Sequence, residues 1–579
     1  MADKQKKSLG DSLLEEGLIT GEQFREVQAE VKRTGEHLSK VLIKKGFIAE
    51  SDLVTFLSGK MGLPAIELDN YLIDPKIIEL IPEELARKYE LIPVLKIGNR
   101  LTCAMVDPWH VFALDEIRMK TNLIVEPAIA TEREIKKSLE QYYGAKGTME
   151  EVIKSIDTDK IGIKEGKEGD IKELEEVVEE PLVIRLVNLI VMEAIRQGAS
   201  DIHIEPEEEK LNTRFRVDGL LREVSSLPKH LQSAIISRIK IMANMNIAER
   251  RAPQDGRFNI KMEGRNIDVR VSCVPTIYGE NMVLRLLDVS RQLLNFKEMG
   301  FSEEVLERYQ KLITRPHGII LVTGPTGCGK TSTLYASMDK INSVEKNIIT
   351  IEDPVEYKLG GIRQIQINPK VNLTFANGLR SILRQDPDII MVGEIRDIET
   401  AEITIHAALT GHLVFSTLHT NDAPGAITRL IDMGTEPFLI ASSVIGILAQ
   451  RLVRTICKEC REEYIPTEEA LRDMGLLDTS RTLHHSLRSG TGQAERSVFY
   501  RGKGCSQCMN TGYKNRIGIF ELMLLDDRMR NFIIGKASHD EIKKQARNLG
   551  MITLMEDGIQ KIREGFTTIE EVLRVTQEE

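Results

Sequence analysis

The spacing of apolar and polar positions changes several times along the chain, and each change predicts a boundary between two regions. Over residues 1–60 apolar positions recur at helical spacing in two similar stretches, SLGDSLLEEGLITGEQFREV and HLSKVLIKKGFIAESDLVTF. The alignment pairs Gly17 with Gly46. Each copy predicts a helix, a glycine stop and a second helix opened by Thr20 or Ser51. We therefore predict a helical repeat module over residues 1–60.

Residues 61–150 have a mixed pattern. The stretch YELIPVLKIGNRLTCAMVDP alternates apolar and polar positions on both sides of the Gly-Asn pair at 98–99. This alternation predicts two strands and a turn within a small α+β domain. Residues 151–181 then lose all periodicity, and residues 164–180 carry eight acids against three lysines. Such a segment cannot bury enough apolar surface to order itself, so we predict a solvated linker.

The remaining residues predict two more domains. After Pro181 an amphipathic helix is followed by alternating, arginine-rich strands such as LNTRFRVDG, which predict an α+β domain over residues 182–295. From residue 296 onward, apolar strands such as GIILVTG, NIITIED, DIIMVGE and HLVFSTLH are separated by helical segments. Strands separated by helices pair in parallel, so residues 296–579 predict a doubly wound α/β sheet.

Composition and charge agree with a globular protein of several domains. The chain has 579 residues and a mass of 65.3 kDa, with 41% apolar and 29% charged residues. No apolar run approaches the roughly 20 residues of a membrane span, and the N-terminus lacks an apolar signal core. We therefore expect a cytoplasmic protein that meets the membrane only through other proteins. The net charge of -10 disfavours, without excluding, binding to nucleic acid.

The segment GPTGCGKTS has the glycine spacing of a phosphate-binding loop. Its glycines let the backbone turn tightly and point N–H groups at phosphate oxygens, and the helix that follows presents its positive end to the anion. Lys330 should reach the β and γ phosphates of ATP, and Thr331 should ligate Mg2+. The apolar strand before the loop favours phosphate binding over a plain turn. Because Cys328 stands at the helix start, we also expect it to form a thiolate readily. The residues expected to bind the nucleotide are Gly324, Pro325, Thr326, Gly327, Cys328, Gly329, Lys330, Thr331 and Ser332.

Acidic residues follow two other apolar strands. In DPDIIMVGEIRD, Gly393 stands where many nucleotide hydrolases have a first acid, and Glu394 stands in the place of the second. In TIEDPVEY the strand ends with Glu352, Asp353 and Glu356. Ligands gather beyond the carboxyl ends of parallel strands, so we expect these acids and the phosphate loop to share one crevice. One carboxylate would activate water and another would help to bind the metal. The alternative for each acid is that it is only a surface residue at the end of a strand, and this alternative is strongest for Glu352.

Two histidines flank the apolar strand in GHLVFSTLHTND. His412 precedes the strand and His419 follows it. We expect both to lie in the crevice and to sense phosphate, with the stronger expectation for His419. A histidine at a strand end is often only a structural hydrogen-bond donor, which is the alternative.

Four cysteines form two pairs, CKEC and CSQC. In a cytosolic chain, doubled Cys-x-x-Cys pairs favour a tetrahedral zinc site over disulfides. A pair of redox dithiols is the alternative. The pairs are far apart, so the polar segment TSRTLHHSLRSGTGQAERS must loop out between them. The predicted Zn2+ ligands are Cys457, Cys460, Cys505 and Cys508.

Taken together, GPTGCGKTS, TIEDPVEY, IIMVGEIRD and TGHLVFSTLHTND resemble the motifs of the secretion ATPase superfamily of type II secretion and type IV pili. The segments DIHIEP, RFRVDG, RRAPQDGR and GENMVLRLLD resemble the N-terminal domain of that motor. The resemblance implies a RecA-like P-loop ATPase core over residues 296–579, with a zinc subdomain near residues 451–520 and a PAS-like α+β domain before it. It also implies a homohexamer with ATP at the subunit interfaces, which acts on an inner-membrane platform protein and other pilus components.

The resemblance further implies a role for each site residue. Glu356 would polarise the attacking water, Glu394 would hold Mg2+ through its water shell, and His419 would sense the γ-phosphate. Arginines of the preceding domain would approach the γ-phosphate from a neighbouring subunit, unless they only pair with surface acids. The candidates are Arg216, Arg238 and Arg285.

The long N-terminal region and the cysteine insert resemble those of ATPases that assemble pili or drive type II secretion. The helical module resembles the MshEN domain and favours pilus assembly over type II secretion. MshEN domains can bind cyclic di-GMP through Arg-Leu-Gly openings. Here the openings are Ser-Leu-Gly at 8–10 and His-Leu-Ser at 37–39, so binding of the messenger is a weaker expectation. A regulatory dock and a nucleic-acid motor are the remaining alternatives.

Overall fold

The computed structural model of the chain describes residues 13–34, 38–108, 110–143, 181–290, 294–474 and 498–577. The chain divides into two compact units, Met1–Ser290 and Arg291–Glu579. The predicted linker up to residue 180, the predicted loop at 479–497 and the opening at 8–10 lie outside the described residues. Among the residues that are described, no helix is long and apolar enough to cross a bilayer.

In the N-terminal module of the first unit, the helical segments that end at residues 15 and 44 are each followed by a turn that contains a glycine. Gly17 and Gly46 have φ values of 72° and 69°, a left-handed conformation that strains other residues. The Thr20 hydroxyl accepts an N–H group of the next helix at 3.3 Å, which confirms it as a cap. In the second copy the N-cap is Ala49 and not the predicted Ser51. The helices are α1 Gly21–Thr34, α2 Leu38–Lys44 and α3 Glu50–Met61.

The second part of the first unit has the predicted α+β pattern. Its elements are β1 Tyr71–Leu72, α4 Pro75–Ile78, α5 Glu83–Lys88, β2 Leu91–Ile97, β3 Arg100–Met105, α6 Val111–Thr121, β4 Ile124–Ile129 and α7 Glu132–Tyr143. Strands β2 and β3 are antiparallel around a turn at Gly98, and β4 pairs in parallel with β3. The core includes Ile92, Leu101 and Ile135, so helices and sheet enclose one apolar interior.

The last part of the first unit is an arginine-rich α+β fold. Its elements are α8 Pro181–Arg196, β5 Ala199–Pro206, β6 Lys210–Val217, β7 Leu220–Pro228, α9 Gln232–Met242, β8 Gln254–Met262, β9 Arg265–Thr276 and β10 Gly279–Asp288. The sheet order is β1-β8-β9-β10-β5-β6-β7. Leu186 of α8 and Ile235 of α9 share a core with Phe215 of β6. Because side chains alternate along a strand, Arg214 and Arg216 lie on the opposite face.

The second unit is built on a seven-stranded sheet. Its elements are α10 Phe296–Met299, α11 Glu303–Ile313, β11 Gly318–Thr323, α12 Lys330–Ile341, β12 Ile348–Glu352, β13 Arg363–Gln366, α13 Phe375–Ile382, β14 Ile389–Val392, α14 Ile398–Leu409, β15 Leu413–Leu418, α15 Ala423–Asp432, α16 Pro437–Ser443, β16 Val444–Ile456, β17 Arg461–Tyr464, α17 Glu468–Asp473, β18 Phe499–Gly502, β19 Tyr513–Leu524, α18 Asp527–Ile534, α19 His539–Asn548, α20 Leu554–Arg563 and α21 Ile569–Thr576. Short 3-10 turns lie at Leu68–Asn70, Lys229–Leu231, Pro369–Val371 and Ser506–Cys508.

This sheet confirms the predicted doubly wound α/β fold. The strand order is β13-β12-β14-β15-β11-β16-β19, and each neighbouring pair is parallel except β16 and β19. Ile319 and Leu321 of β11 belong to one apolar core, whereas Ile320 and Val322 belong to another. Both faces of the central strand are therefore covered, as expected for a parallel sheet.

Candidate active site

The phosphate loop follows β11 and leads into α12. Gly324, Gly327 and Gly329 have φ values of 146°, 80° and 92°, which favour glycine. A Cβ atom on Gly324 would lie 2.5 Å from the carbonyl oxygen of Gln450 and 2.6 Å from Cys328 Sγ. Strand β16 therefore leaves no room for a side chain at the first position of the loop.

The ammonium group of Lys330 is folded back into this loop. Its Nζ donates to the carbonyl oxygens of Gly324 at 2.7 Å and Pro325 at 3.0 Å. Burial lowers the pKa of Lys330, while the charge of Glu394 acts in the opposite direction. A charged donor held at this position can exchange carbonyl oxygens for phosphate oxygens.

Other residues of the loop differ in their exposure. Thr326 is exposed, and so are Thr331 and Ser332 in the first turn of α12, where a hydroxyl can reach a metal or a phosphate. Cys328 is only 3% exposed, and burial raises the pKa of its thiol. The expectation of a readily formed thiolate is wrong, because the loss of solvent outweighs the nearby charge of Lys330.

Strands β12, β14 and β15 run in the same direction as β11, so their carboxyl ends lie at the same edge of the sheet as the phosphate loop. Glu394 follows β14 and His419 follows β15, and His419 Nε2 lies 3.2 Å from Glu394 Oε2. Glu394 also forms an ion pair with Arg396. The side chain of Glu394 is 16% exposed and that of His419 is 51% exposed. The structure thus brings a carboxylate and an imidazole together beside the loop.

Glu352 and Glu356, at the end of β12, have different surroundings. Glu352 is 3% exposed and accepts hydrogen bonds from Tyr335 and, at 3.2 Å, from Gln364 Nε2. It is a buried structural acid, so the surface position considered for it is wrong. The Tyr335 hydroxyl also accepts the N–H of Glu356 at 3.3 Å, which ties the half-buried Glu356 to α12. Asp353, between the two glutamates, is exposed.

His412 lies at the other edge of the sheet. It precedes the six-residue strand β15, whereas His419 follows that strand. His412 Nδ1 is 2.8 Å from the carbonyl oxygen of Ala407, near the end of α14. The expectation that both histidines share one crevice is therefore wrong, and His412 is a structural hydrogen-bonding group.

Two residues of β16, Gln450 and Arg451, contact the loop region and belong to none of the motifs found in the sequence. Gln450 is 2% exposed; its Nε2 donates to the carbonyl oxygen of Cys328 at 2.7 Å. Its Oε1 accepts from Thr333 Oγ1 at 2.8 Å, so one side chain joins the loop to α12. The sequence signal that could have found them is the polar pair inside the apolar run VIGILAQRLV. Buried polar groups require hydrogen-bond partners, so such a pair indicates a polar contact in the interior.

The three candidate arginines belong to the first unit. Arg216 on β6 and Arg285 on β10 both approach Asp201 on β5, with their Nε atoms 3.6 Å and 3.1 Å from its carboxylate oxygens. Asp201 is buried, yet 57% of the Arg285 side chain is exposed. Arg238 lies on α9 and is half-buried. Their contact with a nucleotide stays a prediction.

The four cysteines of the predicted zinc site lie together. Strands β17 and β18 are antiparallel and lie between the two pairs in the chain, so they bring the pairs to the same end. All four sulfurs lie within 4.8 Å of one another, with closest separations of 3.7 and 3.8 Å. Thiolates about 2.3 Å from zinc in a tetrahedron are about 3.8 Å apart. The N–H groups of Cys505 and Gly512 point at Cys508 Sγ at 3.2 and 3.3 Å, and the set fits zinc.

The geometry at the carboxyl edge fits a nucleoside triphosphate with Mg2+. The loop could offer backbone N–H groups and Lys330 to phosphates, and Thr331 and Glu394 could offer oxygens to a metal and its water shell. A RecA-like sheet with this loop after β11, and with acids after β12 and β14, defines a P-loop ATPase.

Comparison with known proteins places this ATPase in a family. A family profile described as T2SSE, Type II/IV secretion system protein, matches residues 176–574, and the chain belongs to that family. A second profile, the MshEN domain, matches residues 61–149. That match covers the α+β part of the first unit and not residues 1–60, for which the sequence predicts the resemblance to this domain.

Named relatives cover almost the whole chain. It is 45% identical over 568 residues to the type IV pilus assembly ATPase PilB of Myxococcus xanthus, with 98% of each chain covered. It is 43% identical over 561 residues to the type II secretion system protein E of Xanthomonas campestris, which covers 96% of this chain and 95% of that one. Among solved structures, the pilus retraction motor PilT with bound ADP has 26% identity and a TM-score of 0.44, over 67% of this chain and 95% of that one.

Proposed function

We propose that this chain powers type IV pilus assembly by coupling ATP hydrolysis to the polymerisation of pilin. The observation that carries the proposal is the carboxyl edge of the second unit, where the phosphate loop, Glu356 and the Glu394–His419 pair follow neighbouring parallel strands. Similarity to PilB over nearly the whole chain supports pilus assembly as the process that is driven.

The site residues divide the reaction into binding, water activation and sensing. Lys330 and the loop N–H groups bind the β and γ phosphates, while Thr331 would hold Mg2+ and Glu394 would hold its water shell. When bound, Mg2+ neutralises phosphate charge and so stabilises the transition state. Glu356 orients the attacking water, and His419, positioned by Glu394, detects whether the γ-phosphate is present.

The proposed working form is a cytoplasmic homohexamer that associates with the inner membrane through its partners. One subunit offers Arg216, Arg238 and Arg285 to the nucleotide of the next, because a cation supplied in trans stabilises the charge that develops in phosphoryl transfer. An inner-membrane platform protein receives the resulting motion. Zinc at the four cysteines has a structural role, because four thiolates leave no open position for a substrate.

The test of the proposal is Lys330→Ala in the full-length protein. Without this ammonium group the phosphates lose their main charged partner, so we expect ATPase activity at background and no pili in complemented cells. Lys340→Ala, at an exposed lysine of the same helix, is the matched control and should retain both. Normal hydrolysis by Lys330→Ala would refute the mechanism. Lost hydrolysis with normal pili would refute the role in pilus assembly.

Type II secretion is a second candidate, supported by the 43% identity to a type II secretion system protein E. Deleting the gene separates the two functions. Loss of pili with normal protein secretion supports pilus assembly, and the reverse result supports type II secretion. Deleting residues 1–150 tests the docking alternative, which predicts lost assembly with intact ATPase activity.

Cyclic di-GMP binding by the N-terminal region is a weaker proposal. The MshEN match at residues 61–149 supports it, and the missing arginines at 8–10 and 37–39 argue against it. Calorimetric titration of the full chain with cyclic di-GMP decides the question, and an absence of heat would remove the proposal.

A further inference from the structure

Arg451 lies beside the phosphate loop and has no part in the mechanism above. Strand β16 is parallel to β11, and their register pairs Thr323 with Ala449. β16 continues past the point where β11 ends, which places Gln450 and Arg451 next to the loop. A Cβ atom on Gly324 would lie only 3.2 Å from Arg451 Nη1.

The guanidinium group of Arg451 is buried among neutral partners. The residue is 6% exposed; its Nη2 donates to Asn421 Oδ1 at 3.1 Å and its Nη1 to the carbonyl oxygen of Gln450 at 3.4 Å. Within the part of the chain that the structure describes, it forms no ion pair with a carboxylate. Arg454, on the same strand, is different, because it pairs with the buried Glu571 at 2.7 Å.

A buried cation without an anion destabilises a fold, because the lost solvation is not replaced by an opposite charge. The charge of Arg451 nevertheless acts on the loop. Burial raises the pKa of the Cys328 thiol, and the charge of Arg451 acts on that pKa in the opposite direction. Positive potential at this position favours any anion that the loop accepts.

We propose that Arg451 is a positioning residue for the polyphosphate of the nucleotide, whose negative charge balances the buried guanidinium. This inference rests on the proposed binding of nucleotide at the loop. Asn421 stands two residues after His419, so Arg451 also connects the loop side of β16 to the segment that carries the proposed γ-phosphate sensor.

The test compares Arg451→Gln with Arg451→Lys in the full-length chain. Glutamine removes the charge, so without nucleotide the melting temperature should be unchanged or higher, while the Kd for MgADP should rise by about ten-fold. Lysine keeps the charge and should restore most of the affinity. An arginine with a merely structural role would give a lower melting temperature and no rescue by lysine.

Asn421→Ala is the matched control, because it removes the hydrogen bond at Nη2 and keeps the charge. Its Kd for MgADP should stay close to that of the wild type. Equal affinity of Arg451→Gln and wild type, or equal loss in the glutamine and lysine variants, would overturn the inference. If Arg451→Gln does not fold, Arg451→Lys decides: near-wild-type binding supports the inference and a ten-fold loss overturns it. A wild-type chain that does not bind MgADP would instead refute the proposed function.

Discussion

Tyr335 and Glu394 each hold a proposed functional residue in place from a different element. Tyr335 of α12 donates to Glu352 and accepts the N–H of Glu356. Burial, and then the hydrogen bond to Glu352, raise the pKa of Tyr335, so its hydroxyl stays a donor. Glu394 in turn lies 3.2 Å from the His419 imidazole. The position of each proposed group therefore depends on a neighbour as well as on its own strand.

Glu356→Gln should separate ATP binding from ATP turnover. The amide keeps the size of the side chain but cannot accept a proton from water, so turnover should fall about 100-fold or more while ATP affinity is retained. Steady-state hydrolysis and a nucleotide-binding titration measure the two effects. Asp353→Asn, at an exposed acid of the same segment, is the matched control and should keep its activity. Similar turnover in both variants would contradict the role given to Glu356.

The functional role of a single residue could be predicted from the sequence where that residue belongs to a local motif, such as a glycine-rich loop or the end of an apolar strand. The glycine spacing of the loop identified Lys330, and strand ends identified Glu394 and His419. The contact of Gln450 with the loop could not be predicted from the sequence, because its hydrogen bond to Cys328 joins residues 122 positions apart. His412 was misplaced, because a parallel strand brings only its carboxyl end to the site.

At the scale of elements, apolar runs located the strands of the second unit, but their order depends on long-range pairing. Strand β11 lies between β15 and β16, both of which follow it at a distance in the chain. No local pattern indicates that β16 would flank the phosphate loop. The cysteine pairs were predictable from spacing, whereas the antiparallel pairing of β17 and β18 that brings them together is visible only in the structure.

Cys457→Ser tests the zinc cluster as a structural element. Loss of one thiolate should reduce zinc well below one ion per chain and lower the melting temperature, because the four sulfurs lie within 4.8 Å of one another, close enough to bind one zinc ion together. Elemental analysis and thermal unfolding measure these effects. Cys103→Ala, at a buried cysteine of the first unit, is the control and should keep the zinc content. Unchanged zinc in Cys457→Ser would exclude this site.

At the scale of the whole molecule, the proposed motor needs cations from the first unit at the nucleotide of a neighbouring subunit. Arg285 is suited to this task, because Asp201 orients it while much of its side chain remains exposed. Arg216 shares the same carboxylate, so release of either arginine leaves Asp201 paired with the other.

Arg285→Ala should lower kcat by about 100-fold or more with an intact hexamer, because a trans-acting cation contributes only when subunits are assembled. Hydrolysis assays and size-exclusion chromatography with light scattering measure both properties. Arg265→Ala, on β9 of the same sheet, is the matched control, since that arginine lies near Glu263 at 3.4 Å and has no proposed role. Equal kcat in the two variants would contradict the trans-acting role of Arg285, whose only function would then be its ion pair with Asp201.

The central claim is that ATP is cleaved at the carboxyl edge of the second unit by acids from two separate strands. A structure of the full-length chain with Mg2+ and a non-hydrolysable ATP analogue measures this most directly. The account predicts the γ-phosphate beside Lys330, with Glu356 one water molecule away from its phosphorus and Glu394 bound to the water shell of Mg2+. A terminal phosphate remote from Glu356 and Glu394 would contradict it.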